Sequence, residues 1–309
     1  MKDAPLYNDL AEGPEGGYAW WMQADDGVHL RAACWPGGKK GTIFMLPGRT
    51  EYIEKYGRVA AAMVERDYTM VTIDWRGQGL SDRLARDPML GHVRRFRDYQ
   101  RDLRALIAEA DAQKLPRPYY MIAHSMGGCI GLRALHDNLP FQAAVFSGPM
   151  WGIQMAPHLR PFAWVMGTLF TALGLGHVRV FGTSPNSYVL EEPFETNELT
   201  SDRGSFEYMQ RQTKAISGVG LGGPSLQWLI TSLIETRKLR AMLPPDHPAM
   251  TFLGTDESIV DPRYVREVMG RWVNGVLVEV EGGRHEIPME TPQTRAEFFD
   301  AAANLFDEA

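Results

Sequence analysis

The chain has 309 residues, 44% of them hydrophobic and 23% charged, with a formal net charge of −6. That length and apolar fraction suit one large domain with a sizeable core, and the acidic balance excludes nucleic acid as the main partner. The two cysteines, Cys34 and Cys129, lie in apolar contexts and imply no disulfide framework.

The N-terminal Met1-Lys2-Asp3-Ala4-Pro5 is polar and lacks the basic-then-apolar pattern of a signal peptide. A cytoplasmic location is therefore expected. Val28–Trp35 alternates as a half-buried strand would, and Thr42–Leu46 is a continuous apolar run that suits a central strand. Val59–Arg66 reads as a helix and Thr69–Asp74 as the next strand. In Tyr99–Ala112 the apolar residues Leu103, Leu106, Ile107 and Ala110 share one helical face. Tyr119–Ala123 is another buried strand, and a helix-like run follows over Cys129–Leu135. Ala143–Ser147 reads as a further strand. The alternation then stops until Ala249–Leu253 and Val276–Glu281, and a last helix runs over Thr291–Phe306. Strands alternating with helices imply a mostly parallel sheet flanked by helices. The interruption implies a helical cap, residues 148–240, inserted into a core of residues 1–147 and 241–309.

The junction Ala123-His124-Ser125-Met126-Gly127-Gly128 carries the chemistry. A serine on a sharp strand-to-helix turn, with small residues two before and two after, is a nucleophile elbow with alanine in its first glycine position. Its hydroxyl would stand at a helix N-terminus, where developing negative charge is stabilised. A serine hydroxyl needs a histidine to take its proton and a carboxylate to orient that histidine. Behind such an elbow the chain order is serine, acid, histidine. His285, late in the glycine-bearing loop Glu281–Glu286, is the expected base. The acid should follow the strand Ala249–Leu253, where position alone leaves Asp256 and Glu257 both open; Asp261, ahead of Pro262, reads as a helix N-cap. An oxyanion hole should come from the backbone N–H groups of Met126 and, in the loop Pro47-Gly48-Arg49-Thr50-Glu51, of Arg49. His124 is expected to pack or orient rather than to react. No metal-ligand spacing is present, and neither a metal nor an organic cofactor is expected.

The loop Pro47–Glu51 with Lys55-Tyr56, the turn Asp74-Trp75-Arg76-Gly77-Gln78-Gly79-Leu80-Ser81, Gly91-His92-Val93, the elbow, Gly222-Gly223-Pro224 with Trp228, and His285-Glu286-Ile287 with Glu290 form a set. Together they resemble the bacterial lysophospholipase branch of the monoglyceride lipase-like α/β-hydrolases. The resemblance implies the α/β-hydrolase fold and a serine carboxylic ester hydrolase acting on lysophospholipids or monoacylglycerols. It places the acid on Glu257, with Asp256 as runner-up. Pro47 departs from the family's histidine, but Gly48 is kept. Glu51 falls where the family carries a glutamate that could touch a glycerol hydroxyl or a cationic head. The glycine-rich turn Asp74–Ser81 is expected to be structural.

The cap is rich in Trp151, Met155, Phe162, Trp164, Met166, Leu169 and Phe170, which suits an acyl chain; Trp151 and Met155 join Glu51 as expected substrate contacts. The nearly uncharged run Pro161–Gly176 is short for a membrane span and fits a lid helix, so peripheral contact with the inner membrane through the cap is expected. Arg83–Arg104 holds seven arginines with interleaved aspartates, the pattern of an ion-paired face. The rival readings are a short-chain carboxylesterase, a peptidase-like hydrolase of the same fold, or a non-catalytic binding protein that would have lost its triad.

Overall fold

The computed structural model describes residues 2–309. The apolar runs become strands of one nine-stranded sheet. They are β1 (Lys2–Ala4), β2 (Tyr18–Gln23), β3 (His29–Trp35), β4 (Thr42–Leu46), β5 (Thr69–Asp74), β6 (Tyr119–His124), β7 (Phe141–Ser147), β8 (Ala249–Gly254) and β9 (Gly275–Val280). Their spatial order is β1-β2-β3-β5-β4-β6-β7-β8-β9. The pairs β1–β2, β2–β3 and β3–β5 are antiparallel, and every pair from β5 through β4 to β9 is parallel. This is the expected fold class. The short exposed edge strand β1 and the strand β2 are additions that hydrophobic periodicity did not reveal.

Alternation along β4 explains the layers. Phe44 and Leu46 enter one core with Val71, Leu103, Ile130 and Trp272. Ile43 and Met45 enter the other with Val59, Met63, Phe298 and Phe306. Helices Gly57–Val64 and Pro292–Asp307 cover one face, and Tyr99–Ala112 and Met126–His136 the other. With both faces covered, every residue of β4, β5 and β6 is buried, which is why those strands read as unbroken apolar runs.

No named strand lies between β7 and β8 among the described residues. That stretch holds the helices Leu159–Ala172, Tyr188–Glu191, Arg203–Ala215 and Leu226–Ala241, and the first packs on the last. Helix Leu159–Ala172 turns Phe162, Val165 and Leu169 outward. Both cysteines are free and buried.

The turn after β5 is braced by Asp74. Its Oδ1 accepts from the Ile53 N–H at 2.8 Å, and its Oδ2 from the Leu80 N–H and from Arg31 Nε, each at 2.7 Å. Arg31 also donates to both oxygens of Glu54, so a wholly buried ion triad stitches β3 to β5 and the loop after β4. Of the arginine-rich face, Arg97 and Arg104 share Asp137, and Arg101 meets Asp25 and Asp26. Three of the seven arginines are thus ion-paired, and their partners come from outside the run.

Candidate active site

The loops after the parallel strands β6, β8 and β9 converge, with β7 between the first two. Ser125 follows β6 with φ 50° and ψ −116°, left-handed backbone that a non-glycine residue adopts at a cost of about 1–3 kcal/mol. Three backbone bonds hold it there: the Ser125 N–H donates to Ser147 O at 3.0 Å, and Ser125 O accepts from Gly128 N–H at 2.9 Å and Met150 N–H at 2.8 Å. A Cβ on Gly127 would come within 2.1 Å of Leu46 O, so only glycine lets the elbow helix approach the end of β4. Ala123 is fully buried within β6.

Glu257 and His285 come from the loops after β8 and β9. His285 Nδ1 lies 2.7 Å from Glu257 Oε2, and both side chains are buried. Glu257 Oε1 accepts from the N–H groups of Ile259 at 2.7 Å and Val260 at 3.0 Å. Burial raises the Glu257 pKa, but the charge and hydrogen bond of His285 and these two amides outweigh it, so the net shift is downward. Burial lowers the His285 pKa, yet Glu257, with Glu286 and Glu51 behind it, drives it upward overall. Gly148, at φ +47°, backs the pair: a Cβ there would stand 3.0 Å from His285 Nδ1 and 3.1 Å from Glu257 Oε2. Asp256 is exposed and contacts neither Ser125 nor His285, and Asp261 caps the helix Pro262–Met269.

The loop after β4 is fastened at successive groups. Pro47 O accepts from Trp75 Nε1 at 2.9 Å, Gly48 O accepts from Gln78 Nε2 at 2.8 Å, and the Gly48 N–H donates to Glu51 Oε2. The next amide, that of Arg49, makes no hydrogen bond among the described residues, nor does that of Met126.

Beneath the loop sits a buried charge cluster. Lys55 Nζ bridges Glu51 Oε1 and Glu286 Oε2, each at 2.7 Å, and Tyr56 OH donates to Glu51 Oε2. Burial would raise the Glu51 pKa, but Lys55 holds it down at about 2, whereas burial and the Glu51 charge push Glu286 upward. His124 lies with its ring centroid 4.7 Å from that of His285, and its Nδ1 donates to Ser147 O at 3.0 Å. Burial pulls its pKa to about 3, so it is neutral and packs, as expected. Glu51, His124 and Glu286 converge closely enough to suggest a metal, but the Lys55 ammonium already lies between the two carboxylates.

Ser125 and His285 open on one cavity of about 410 Å³. Met150, Ile153, Met155, Val180, Val189, Leu199, Met209, Trp228 and Leu229 supply its apolar wall, with Arg49, Glu51, Lys55, Glu198 and Glu286 as charged members. Met155 is therefore where a substrate contact was expected. Trp151 is not: it is wholly buried between Phe146 and Trp272, with its Nε1 donating to Gly128 O at 3.1 Å. Its large apolar surface filled the core under the elbow instead. Phe162, Trp164, Met166, Leu169 and Phe170 do not line this cavity either, because their helix turns much of its apolar surface outward. The expected carboxylate contact from Glu51 is largely preempted, since both oxygens already hold partners. The Lys55–Glu286 contact and the Arg31–Glu54–Asp74 triad were missed in the sequence, because charged pairs far apart in the chain leave no periodic signal.

The family described as serine aminopeptidase, S33 (Hydrolase_4) matches residues 37–292. The chain belongs to this family. Lysophospholipase L2 of Escherichia coli (strain K12) is 30% identical over 283 residues, spanning 86% of this chain and 80% of that protein. The probable lysophospholipase L2 of Haemophilus influenzae is 27% identical over 255 residues, spanning 82% and 79%. Among solved structures, a soluble variant of the monoglyceride lipase of Saccharomyces cerevisiae superposes with a TM-score of 0.71 at 20% identity, covering 94% of each chain. The monoacylglycerol lipase of Paleococcus ferrophilus gives 0.71 at 16% identity, covering 91% of this chain and 99% of its own. These two establish the fold. The chain is a serine hydrolase of carboxylic esters. No helix among the described residues is long and apolar enough to cross a membrane.

Proposed function

We propose that the enzyme cleaves the single acyl ester of lysophospholipids or monoacylglycerols, with Ser125 as nucleophile, His285 as base and Glu257 as its orienting acid. The observation that carries this reading is the 2.7 Å Glu257–His285 contact on the same largely apolar cavity as the strained Ser125. With its Nδ1–H donated to Glu257, the imidazole keeps its other nitrogen as the proton acceptor. Ser125 Oγ adds to the acyl carbonyl as that nitrogen takes its proton. The oxyanion is met by the unpartnered amides of Arg49 and Met126. The C–O bond to the glycerol moiety then breaks, and His285 returns the proton to the departing alkoxide oxygen. Water, deprotonated by the same imidazole, releases the fatty acid and restores Ser125.

An acyl chain suits walls made of Met150, Ile153, Met155, Met209 and Leu229. Residues 148–240 serve as the cap over a core of residues 1–147 and 241–309. The cap segment Asn197–Leu199 reaches the base: Leu199 O accepts from the Glu286 N–H at 2.8 Å, and Asn197 O from Arg284 Nη1 at 2.7 Å. The outward Leu159, Phe162, Val165 and Leu169 suit a lipid surface, where such substrates reside. The relatives named as lysophospholipases support an ester substrate over a peptide, and Lys55 already bridges the Glu51 and Glu286 carboxylates that could otherwise grip a free amine.

A fluorophosphonate probe should label Ser125 in the native chain and leave Ser125→Ala unlabelled. A panel of lysophospholipids, monoacylglycerols and p-nitrophenyl esters should show activity rising from acetate to medium or long acyl chains. A preference for acetate would overturn the lipid reading.

A further inference from the structure

Two cations besides His285 line the cavity among the described residues, Arg49 and Lys55. They differ in what answers their charge. Lys55 is held at 2.7 Å by each of two carboxylates. Arg49 forms no ion pair among the described residues. Its Nη1 donates to Gly222 O at 2.8 Å, and its Cζ lies 5.7 Å from the centre of the Trp228 ring. These contacts fix the guanidinium in place without neutralising it. Its Nε and Nη2 find no partner among the described residues, yet neither is sealed from solvent. A Cβ on Gly91 would stand 3.2 Å from Nη1, so the glycine there leaves room for the group.

Burial and the neighbouring Arg179 charge together pull the Arg49 pKa down to about 10, so at neutral pH it still carries a charge that nothing nearby answers. Arg179 itself is paired with Asp87 at 2.6 Å. A half-buried cation without a counter-ion is less well stabilised than one in open water. An anion that arrives with the substrate offsets that difference.

We propose that the Arg49 guanidinium recognises the phosphodiester of a lysophospholipid head group, and so favours lysophospholipids over monoacylglycerols. This deepens the lipid-ester reading and rests on it. Two neighbouring N–H donors of a guanidinium match two phosphate oxygens, which a lysine ammonium does not match as well. The position also fits. The Arg49 amide belongs to the proposed oxyanion hole, and the arginine side chain is about as long as the glycerol spacer between acyl carbonyl and phosphorus. One residue would thus hold both the reacting carbonyl and the head group that follows it.

The test compares kcat/KM for palmitoyl lysophosphatidylcholine and monopalmitoylglycerol in the unaltered chain, Arg49→Met and Arg49→Lys. The ratio of the two substrates is the readout, because the backbone of Arg49 also serves catalysis. The ratio should fall at least about fivefold in Arg49→Met, the loss of one charge-assisted contact, and recover in part in Arg49→Lys. A smaller fall overturns the assignment. A second measurement needs no variant: the uncleavable ether analogue of lysophosphatidylcholine should inhibit p-nitrophenyl ester hydrolysis at least about fivefold more tightly than the matching alkylglycerol. Equal inhibition overturns the proposal, and so does inorganic phosphate matching the ether lipid, which would assign the cation to free phosphate. An unaltered chain that labels with fluorophosphonate but cleaves neither lipid refutes the lipid reading itself. Cleavage of both lipids with an unchanged ratio in Arg49→Met refutes only the role of Arg49.

Discussion

The two walls of the cavity are built on opposite principles. On the sheet side, the polar groups around Ser125 other than the Arg49 and Met126 amides are committed: Pro47 O to Trp75, both backbone groups of Gly48 to Gln78 and Glu51, and Glu257 to two amides and His285. Glycines 127 and 148 sit where a Cβ would collide with backbone or with the His–Glu pair. On the cap side the wall is mostly methionine and aliphatic surface, and the covering helix exposes Phe162, Val165 and Leu169 at 53%, 62% and 48%. Hydrogen bonds fix directions, which bond-making needs, whereas adaptable apolar surface accepts acyl chains of several shapes. Chemistry should therefore fail steeply when the sheet wall is altered, and preference should drift when the cap wall is.

The steepest failure belongs to the triad. Ser125→Ala should abolish probe labelling and turnover. Glu257→Gln should lower kcat by roughly 10³–10⁴-fold, since an amide cannot hold the Nδ1–H tautomer as a carboxylate does. Asp256→Asn should change kcat less than about threefold, because that side chain is exposed and away from His285. Steady-state kinetics on a water-soluble ester decides it, and the reverse ranking would return the acid to Asp256.

A large effect on stability is expected beside the site. Arg31→Met leaves Glu54 and Asp74 buried without their cation and should cost about 3–5 kcal/mol, read as a shift in the urea midpoint. An unchanged midpoint would mean the triad does not tie β3 to the loop after β4.

How much of this was legible in the chain follows from what each feature requires locally. The elbow, the late histidine and the strands β3 to β9 announced themselves because their constraints are local: a small residue beside a sharp turn, an apolar run in a sheet covered on both faces. The choice of Glu257 over Asp256 needed a resemblance, since adjacent carboxylates in a loop carry no periodicity to rank them. Trp151 was misplaced because composition reports how much apolar surface the cap segment has, not which way it points. The Lys55 clamp and the free fork of Arg49 depend on partners from other elements, Glu286 and Gly222, which only the folded chain brings near.

The pH profile sharpens the comparison on the sheet side. In the proposed mechanism His285 must be neutral to accept the serine proton, so activity should fall as pH drops through its pKa. Glu257 outweighs burial and raises that pKa, so the acid limb of kcat/KM should lie above the ordinary imidazole value of about 6.5. In Glu257→Gln the raising charge is gone while burial remains, and the residual activity should show its acid limb at lower pH. A limb that stays put or moves upward would mean that another group governs it.

The smallest effect should come from the cap's outer face. Phe162→Asp with Leu169→Asp replaces two exposed apolar side chains by charges on a helix that does not line the cavity, so folding and hydrolysis of a dissolved p-nitrophenyl ester should change little. Binding to phosphatidylglycerol-containing vesicles, and hydrolysis of substrate held in them, should drop a few-fold, because apolar burial at the interface is lost and negative charge meets an anionic surface. Equal losses on vesicles and on the dissolved ester would point to damage within the fold instead. No loss on either would leave the outward apolar face without a part in reaching lipid, and would put substrate capture on the cavity walls alone.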